Sequence, residues 1–254
     1  RAAGKTIKLN HPRLRARIGA RWGSEPYSGQ KEEFSSFLNK ILEVAFMKDK
    51  IVITIARQYG SGGRTIGNML AEKLGIHFYD KELMKLASDE SGINEALFAN
   101  ADEKLRRTSL FKIAHNAYNG ELISPESDDF VSTKNLFNYQ AKIIKGLAEE
   151  ESCVIVGRCA DYILKDYDNV LSVFIHAPHE YCMEQAATKH SMSSKELEKF
   201  ILKTDKHRAE YYKYYTGREW SDARNYDLCL NSSKLGYDRF VKEIISYINV
   251  RFGQ

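Results

Sequence analysis

One stretch of the chain, residues 51–65 (IVITIARQYGSGGRT), constrains the fold more than any other. A continuous apolar run ends in a glycine-rich segment, after which apolar residues recur at helical spacing at Ile66, Met69, Leu70 and Leu74. This pattern predicts a buried strand, a tight loop and the first turn of an amphipathic helix. The glycines allow the loop to curl so that several backbone N–H groups point inward, where the dipole of the following helix adds positive potential. It is therefore either a phosphate-binding loop or a glycine-rich turn in an ordinary strand-to-helix connection.

The loop departs from the regular phosphate-binding motif G-x-x-x-x-G-K-[ST]. Arg57 stands at the first glycine of that motif, and the residue that precedes Thr65 is Arg64 rather than a lysine. The flanking strand and helix patterns favour phosphate binding, with a threonine hydroxyl in reach of Mg²⁺ at Thr65. The candidate nucleotide-binding residues are Gly60, Ser61, Gly62, Gly63, Arg64 and Thr65.

Length and composition indicate an ordinary globular protein. The 254 residues suffice for one substantial domain with an insertion or an extension. No apolar run approaches the length that spans a bilayer, so no membrane partner is expected. The four cysteines show neither a CxxC pair nor zinc spacing. Three of them lie in or beside apolar runs, which predicts buried free thiols there, and a reducing cytoplasm fits best.

The formal net charge of +4 is unevenly distributed along the chain. Residues 1–46 hold nine Lys/Arg and four Asp/Glu, a balance of +5, so residues 47–254 carry +4 − 5 = −1. The basic extension is predicted to be a disordered tail or a non-native start, because MKDKIVITIA at Met47 is a natural opening for the domain. A nucleic-acid-binding arm is the alternative, but the near-neutral domain speaks against nucleic acid as a partner.

Four further short apolar runs alternate with helical patterns, at residues 77–79, 153–156, 170–175 and 228–230. Strands that are apolar throughout and separated by helices predict a parallel sheet covered on both faces. Ser193 with Glu196 predicts a capping box at the start of one of these helices.

From about residue 47 to residue 251 the chain resembles the cytidylate kinase-like family of P-loop proteins, which is related to nucleoside monophosphate kinases. The resemblance is carried in order by ITIARQYGSGGRTIGNMLAEKLGIHFYDKELM, CVIVGRCADYIL, VFIHAP, DKHRAEYY and YDLCLNSSKLG. It implies an α/β fold of the P-loop NTPase type, with a five-stranded parallel sheet flanked by helices. A helical NMP-binding insertion is expected at about 81–150 and a lid at about 203–226.

The resemblance also assigns residues to the binding of the phosphoryl donor and of the phosphoryl acceptor. Gly63 stands at the family's lysine position, and Arg64 replaces the following glycine and is expected to supply the missing cation. Arg158 matches the arginine of the GRD motif, at the sheet edge where α/β proteins bind ligands. Cys159 replaces the aspartate of that motif, and Asp161 is a nearby substitute. A salt-bridged loop residue is the alternative for Arg158.

Asp80 matches the aspartate of the family's YLDTG motif, and a helix N-cap before Lys81 is its alternative. Asp205 and Arg208 match the family pattern in the lid, where a closing arginine would neutralise transferring charge and exclude water. A solvated charged helix is the alternative there. We predict that His77 and His207 are structural or surface residues, and that the tyrosines of residues 211–215 pack at the lid hinge or stack on a base.

These expectations describe an ATP-dependent kinase of a small acceptor, most simply a nucleoside monophosphate such as CMP or dCMP. ATP and Mg²⁺ are the expected cofactors, and small-molecule nucleotides are the expected substrates. Arg64, Arg158 and Arg208 would stabilise charge, while Asp80, Arg158, Asp161 and Asp205 would bind the acceptor. The alternative is a catalytically inactive nucleotide-binding regulatory module, which the changes at Gly63 and Cys159 favour. The sequence fixes neither the acceptor nor the oligomeric state.

Overall fold

The computed structural model describes residues 50–107 and 118–253. The predictions for residues 1–46, and for a part of the expected insertion, lie outside these described residues. Along the described part of the chain, strands and helices alternate as the apolar patterns predict.

Five strands form a single sheet in the order β2-β3-β1-β4-β5, and every neighbouring pair is parallel. The strands are β1 (Val52–Arg57), β2 (His77–Tyr79), β3 (Cys153–Val156), β4 (Val170–His176) and β5 (Leu228–Asn231). Strands β2 to β5 each begin and end within one residue of the predicted apolar runs, and β1 lies in the apolar part of the stretch 51–65. Because the chain leaves central β1 towards β2 on one side and later returns to β4 on the other, a crevice is expected beyond the carboxyl end of β1.

Helices connect the strands and lie between the sheet and solvent. They are α1 (Gly63–Leu74), α2 (Glu82–Ser91), α3 (Glu95–Arg107), α4 (Thr133–Glu150), α5 (Ala160–Ile163), α6 (His179–Ala187), α7 (Ser194–Thr216) and α8 (Gly236–Phe252), with a 3₁₀ turn at Ala223–Asn225. In the part of the chain that the structure describes, no helix has the length and apolar content to cross a membrane.

Helix α7 begins with the predicted capping box. The Ser193 side chain accepts a hydrogen bond from the Glu196 N–H, and the Glu196 carboxylate accepts one from the Ser193 N–H at 3.0 Å. The far end of the helix is held by aromatic packing, since the Tyr215 ring stacks on Phe137 of α4 with centroids 3.7 Å apart. Tyr212 and Tyr215 are both buried, so packing is confirmed for these two tyrosines. The second half of α7 therefore packs against α4.

Candidate functional site

The loop between β1 and α1 has the tight backbone that its glycines predict. Gly60 and Gly62 both adopt a φ of +80°, a conformation that side chains with a Cβ rarely take. Ser61 is fully buried, and its hydroxyl donates to the Gln58 carbonyl at 2.9 Å. The Ser232 hydroxyl in turn donates to the Ser61 carbonyl at 2.6 Å. The loop is therefore anchored before α1 starts at Gly63, with Thr65 in the first turn.

Arg57, the last residue of β1, points into the crevice that opens at the carboxyl edge of the sheet. Its guanidinium lies 4.0 Å from Asp80, which follows β2. Burial, then repulsion from Arg208, lowers the pKa of Arg57 to about 9. The sequence showed Arg57 only as a departure from a glycine and assigned it no role. Its position at the end of the central strand, beside the loop, was the signal that could have found it.

Asp80 is an ion-pairing residue. Its carboxylate lies 2.8 Å from Nε of Arg64, whose side chain is 65% exposed at the rim of the crevice. Helix α2 begins at Glu82 with Lys81 at its N-cap position and no side-chain cap. The N-cap alternative for Asp80 is therefore wrong. The physical reason is that the two arginines from the β1 end and from α1 attract the carboxylate towards the crevice.

The chain after β3 makes an unusual turn. Gly157, Arg158 and Cys159 have φ values of +77°, +60° and +56°, although only the first of them lacks a Cβ. Such strain persists only where the surroundings impose it, and it is found often at ligand sites. Arg158 reaches back to donate a hydrogen bond to the sulfur of Met84 at 3.3 Å, and its side chain lines the crevice.

Helix α7 contacts the glycine-rich loop through Asp205 and Arg208. The Tyr59 N–H donates to both carboxylate oxygens of Asp205, at 2.9 and 3.0 Å. Arg208 donates to the same carboxylate at 2.9 Å and to the Arg57 carbonyl at 3.1 Å. Burial raises the pKa of Asp205 and lowers that of Arg208, and the charge of each partner opposes the shift of the other. The alternative of a solvated helix face is wrong for these two residues.

Asp161 lies on the far side of the crevice and is only 8% exposed. The Tyr212 hydroxyl donates to it at 2.6 Å. Burial raises the pKa of Asp161 to about 6, against the opposing effect of this hydrogen bond. Asp161 therefore remains largely ionised at neutral pH but takes up a proton readily in mild acid.

These residues enclose one cavity of about 190 Å³ at the carboxyl edge of the sheet. Three arginines and two carboxylates supply its charge, while His207 and aromatic side chains close it. The lining includes Arg57, Asp80, Arg158, Asp161, His207, Arg208, Tyr211, Tyr212 and Trp220. His207, predicted to be a structural or surface residue, lines this cavity because the turn of α7 that carries Arg208 also brings His207 there.

The predicted site residues thus fall into two groups. Asp80, Arg158, Asp161 and Arg208 meet in the cavity. The loop residues 60–65 and Asp205 adjoin it without belonging to its lining. In the described residues, no cluster of three His, Cys, Asp or Glu side chains could hold a metal ion.

A parallel sheet in this strand order, with a glycine-rich loop between its first strand and first helix, defines a P-loop α/β fold. A model of the cytidylate kinase-like family matches residues 52–234, and the chain belongs to this family.

The chain is 26% identical over 206 residues to a protein named cytidylate kinase from Pyrococcus horikoshii, covering 80% of this chain and 92% of that protein. It is 24% identical over 197 residues to another of that name from Methanopyrus kandleri, covering 74% and 88%. A solved structure of an uncharacterized protein from Eubacterium ventriosum aligns with a TM-score of 0.57 at 29% identity, over 79% of this chain and 99% of that one.

Proposed function

We propose that this protein transfers the terminal phosphoryl group of ATP to a nucleoside monophosphate, such as CMP or dCMP. One observation carries the proposal: Arg57, Arg158 and Arg208 converge from three different elements on one cavity beside the glycine-rich loop. Like charges held together in a partly dry site repel one another, and a bound anion relieves that repulsion. Phosphoryl transfer needs such positioned positive charge more than it needs covalent chemistry.

The donor would bind at residues 60–65. Gly60 and Gly62 shape the loop, and no side chain in the described part of the chain caps the first turn of α1. Its N–H groups therefore fit phosphate oxygens. The Thr65 hydroxyl would be the protein's ligand for Mg²⁺, which in such enzymes is held mainly by substrate phosphates and water. This agrees with the lack of a metal-binding cluster among the described side chains. When bound, Mg²⁺ would neutralise charge on the phosphates.

The acceptor would bind in the cavity itself. Arg158 would hold its phosphate, with Arg64 and Arg208 stabilising charge at the boundary between donor and acceptor. Asp80 would orient the arginines beside it, and Asp161 would contact the acceptor's polar groups. Asp205 would act from the side by positioning Arg208. No general base is required, because an acceptor phosphate is already ionised at neutral pH.

We further propose that residues 47–254 are the functional domain, with an acceptor-binding insertion at about 81–150 and a lid at about 203–226. Residues 203–216 lie in the second half of α7, so the lid would move as part of a helix. All four cysteines have free thiols, which fits a reducing compartment such as the cytoplasm.

A specific observation favours a second function, that of a nucleotide-binding regulatory module without transfer activity. Gly63 removes the usual lysine, and the Tyr59 N–H of the glycine-rich loop is already bound to Asp205. A loop donor occupied by a carboxylate has one fewer hydrogen bond to offer a phosphate.

Measuring ADP release by the full chain with Mg-ATP and a panel of nucleoside monophosphates separates the two functions. Thr65→Ala is the control for contaminating kinases, and Arg239→Gln, at an exposed arginine of α8, is the control for unspecific effects. Acceptor-dependent turnover that Thr65→Ala abolishes and Arg239→Gln retains would support the kinase. Binding of ATP without turnover of any acceptor would refute the kinase and support the regulatory module.

A further inference from the structure

The space for a side chain at position 63 is taken. A Cβ on Gly63 would lie 2.5 Å from Cβ and 2.8 Å from Cγ of Arg57, distances that real atoms do not adopt. Gly63 is the first residue of α1. With Arg57 at the first glycine of G-x-x-x-x-G-K-[ST], the spacing puts Gly63 at the position of the lysine. The arginine at the end of β1 and the missing lysine are therefore one coupled change, because the first excludes the second.

The remainder of the Arg57 side chain crosses from β1 towards β3. Its Nη1 atom lies 2.5 Å from the point where a Cβ on Gly157 would be, so a side chain at position 157 would block the guanidinium. The neighbouring register pairs Ile55 with Val156, which sets the end of β3 beside the end of β1. Gly63 at one end of the side chain and Gly157 at the other thus leave the space that Arg57 occupies.

We propose that Arg57 supplies the phosphate-binding charge that a lysine at position 63 supplies in the regular motif. The regular motif has a glycine at position 57 and the cation at position 63, whereas this chain has the cation at position 57 and a glycine at position 63. The inference rests on the proposed phosphate-binding function, and it names a residue that the resemblance does not assign. The guanidinium reaches the cavity beside Arg208 and Arg158, whereas Arg64, the other candidate cation, lies mostly exposed at the rim.

The chemistry of the site explains why the cation is an arginine. The pKa of Arg57 is lowered from 12.5 to about 9, so its guanidinium remains charged at neutral pH. The pKa of a lysine shifts readily when the side chain is buried, so a lysine would retain its charge less firmly in the same surroundings. Arginine also offers two parallel N–H donors to a phosphate, which lysine cannot.

The exchange can be reversed by mutation. We expect Arg57→Ala to raise the dissociation constant of Mg-ATP at least about tenfold in calorimetry without an acceptor, because a charge-assisted hydrogen bond is lost. Gly63→Lys alone should lower the melting temperature, because the new side chain overlaps Arg57. The double variant Arg57→Gly/Gly63→Lys should bind Mg-ATP more tightly than Arg57→Gly. Arg239→Gln is the matched control and should bind like the wild type.

Two results would overturn the inference. One is wild-type affinity for Mg-ATP in Arg57→Ala. The other is a folded double variant, judged by circular dichroism, that binds no better than Arg57→Gly. If Arg57 had only a structural role, replacing it would lower stability, and the lysine of the double variant would not restore the binding of Mg-ATP. If the double variant does not fold, the affinity of Arg57→Ala decides. Arg57-dependent ATP binding by a wild type that turns over no acceptor would support this inference while refuting the kinase.

Discussion

Asp161 should make the protein less stable as the pH rises from mild acid to neutrality, and Asp161→Asn should remove this dependence. The carboxylate is 8% exposed, and its pKa is raised from 3.8 to about 6 because burial disfavours its charge. Asparagine keeps an oxygen that can accept the hydrogen bond from Tyr212 but cannot ionise. The substitution therefore isolates the cost of the buried charge.

The sign and size of the effect follow from proton linkage. The folded protein holds the Asp161 proton up to about pH 6, whereas the unfolded chain releases it near 3.8. The stability that comes from the protonated form is thus fully present below pH 3.8 and is lost as the pH rises through about 6. A difference of about two pKa units corresponds to about 3 kcal/mol, and about 2 kcal/mol of it falls between about pH 4.5 and about pH 7.5.

Urea unfolding followed by circular dichroism measures this effect when the wild type and Asp161→Asn are compared across that pH range. The free energy of unfolding of the variant, minus that of the wild type, should rise by about 2 kcal/mol from the lowest to the highest pH. Asp166→Asn, at an exposed carboxylate on the same segment, should show no such rise. A pH-independent difference for Asp161→Asn would show that Asp161 does not titrate as a buried carboxylate, and the reasoning would fail.

Three further predictions concern the loop and its neighbours. Gly60→Ala should lower the free energy of unfolding by more than about 2 kcal/mol, because its methyl group would overlap a main-chain carbonyl of α6. Gly75 also has a positive φ of +68°, but a Cβ added there would have no described atom within 4 Å, so Gly75→Ala should lower the free energy of unfolding by only about 1 kcal/mol. Equal losses of stability for the two variants in thermal unfolding would contradict this. Arg64→Ala should weaken the binding of Mg-ATP in calorimetry, and Arg64→Lys should restore it in part. The free energy of unfolding of Arg64→Ala should change by less than about 1 kcal/mol, since Arg64 is mostly exposed in its ion pair with Asp80. An unchanged dissociation constant would exclude Arg64 from the site. Asp205→Asn should lower the free energy of unfolding by about 2 kcal/mol in urea, because the partly buried Arg208 loses its carboxylate partner. Wild-type stability of this variant would show that the pair contributes nothing.

The sheet was predictable because its strands are short, apolar throughout and separated by helical patterns. Such strands can only be buried on both faces, which requires a parallel sheet with helical connections. The capping box at Ser193 was predictable for a similar reason, since both of its hydrogen bonds join residues three apart in sequence. Contacts of this kind can be predicted from the sequence because the residues that form them are close together in it.

The cavity was only partly predictable, because its contacts join residues far apart in the chain. The motifs selected Arg158, Asp161 and Arg208, and the structure places all three in the lining of one cavity. They gave no indication that the side chain of Arg57 fills the space over Gly63, because that contact depends on the direction of one side chain at the end of β1. The motifs did not indicate that His207 lines the cavity, because this depends on which face of α7 turns towards the sheet.

The most direct test of the proposed kinase is ³¹P NMR of the full chain mixed with Mg-ATP and CMP. We expect signals of CDP and ADP to grow together in equal amounts, and no growth in a mixture without CMP. Inorganic phosphate and ADP without CDP would mean that water, not the nucleotide, is the acceptor. An unchanged spectrum under conditions where calorimetry detects ATP binding, repeated with each other nucleoside monophosphate, would contradict phosphoryl transfer to this class of acceptor.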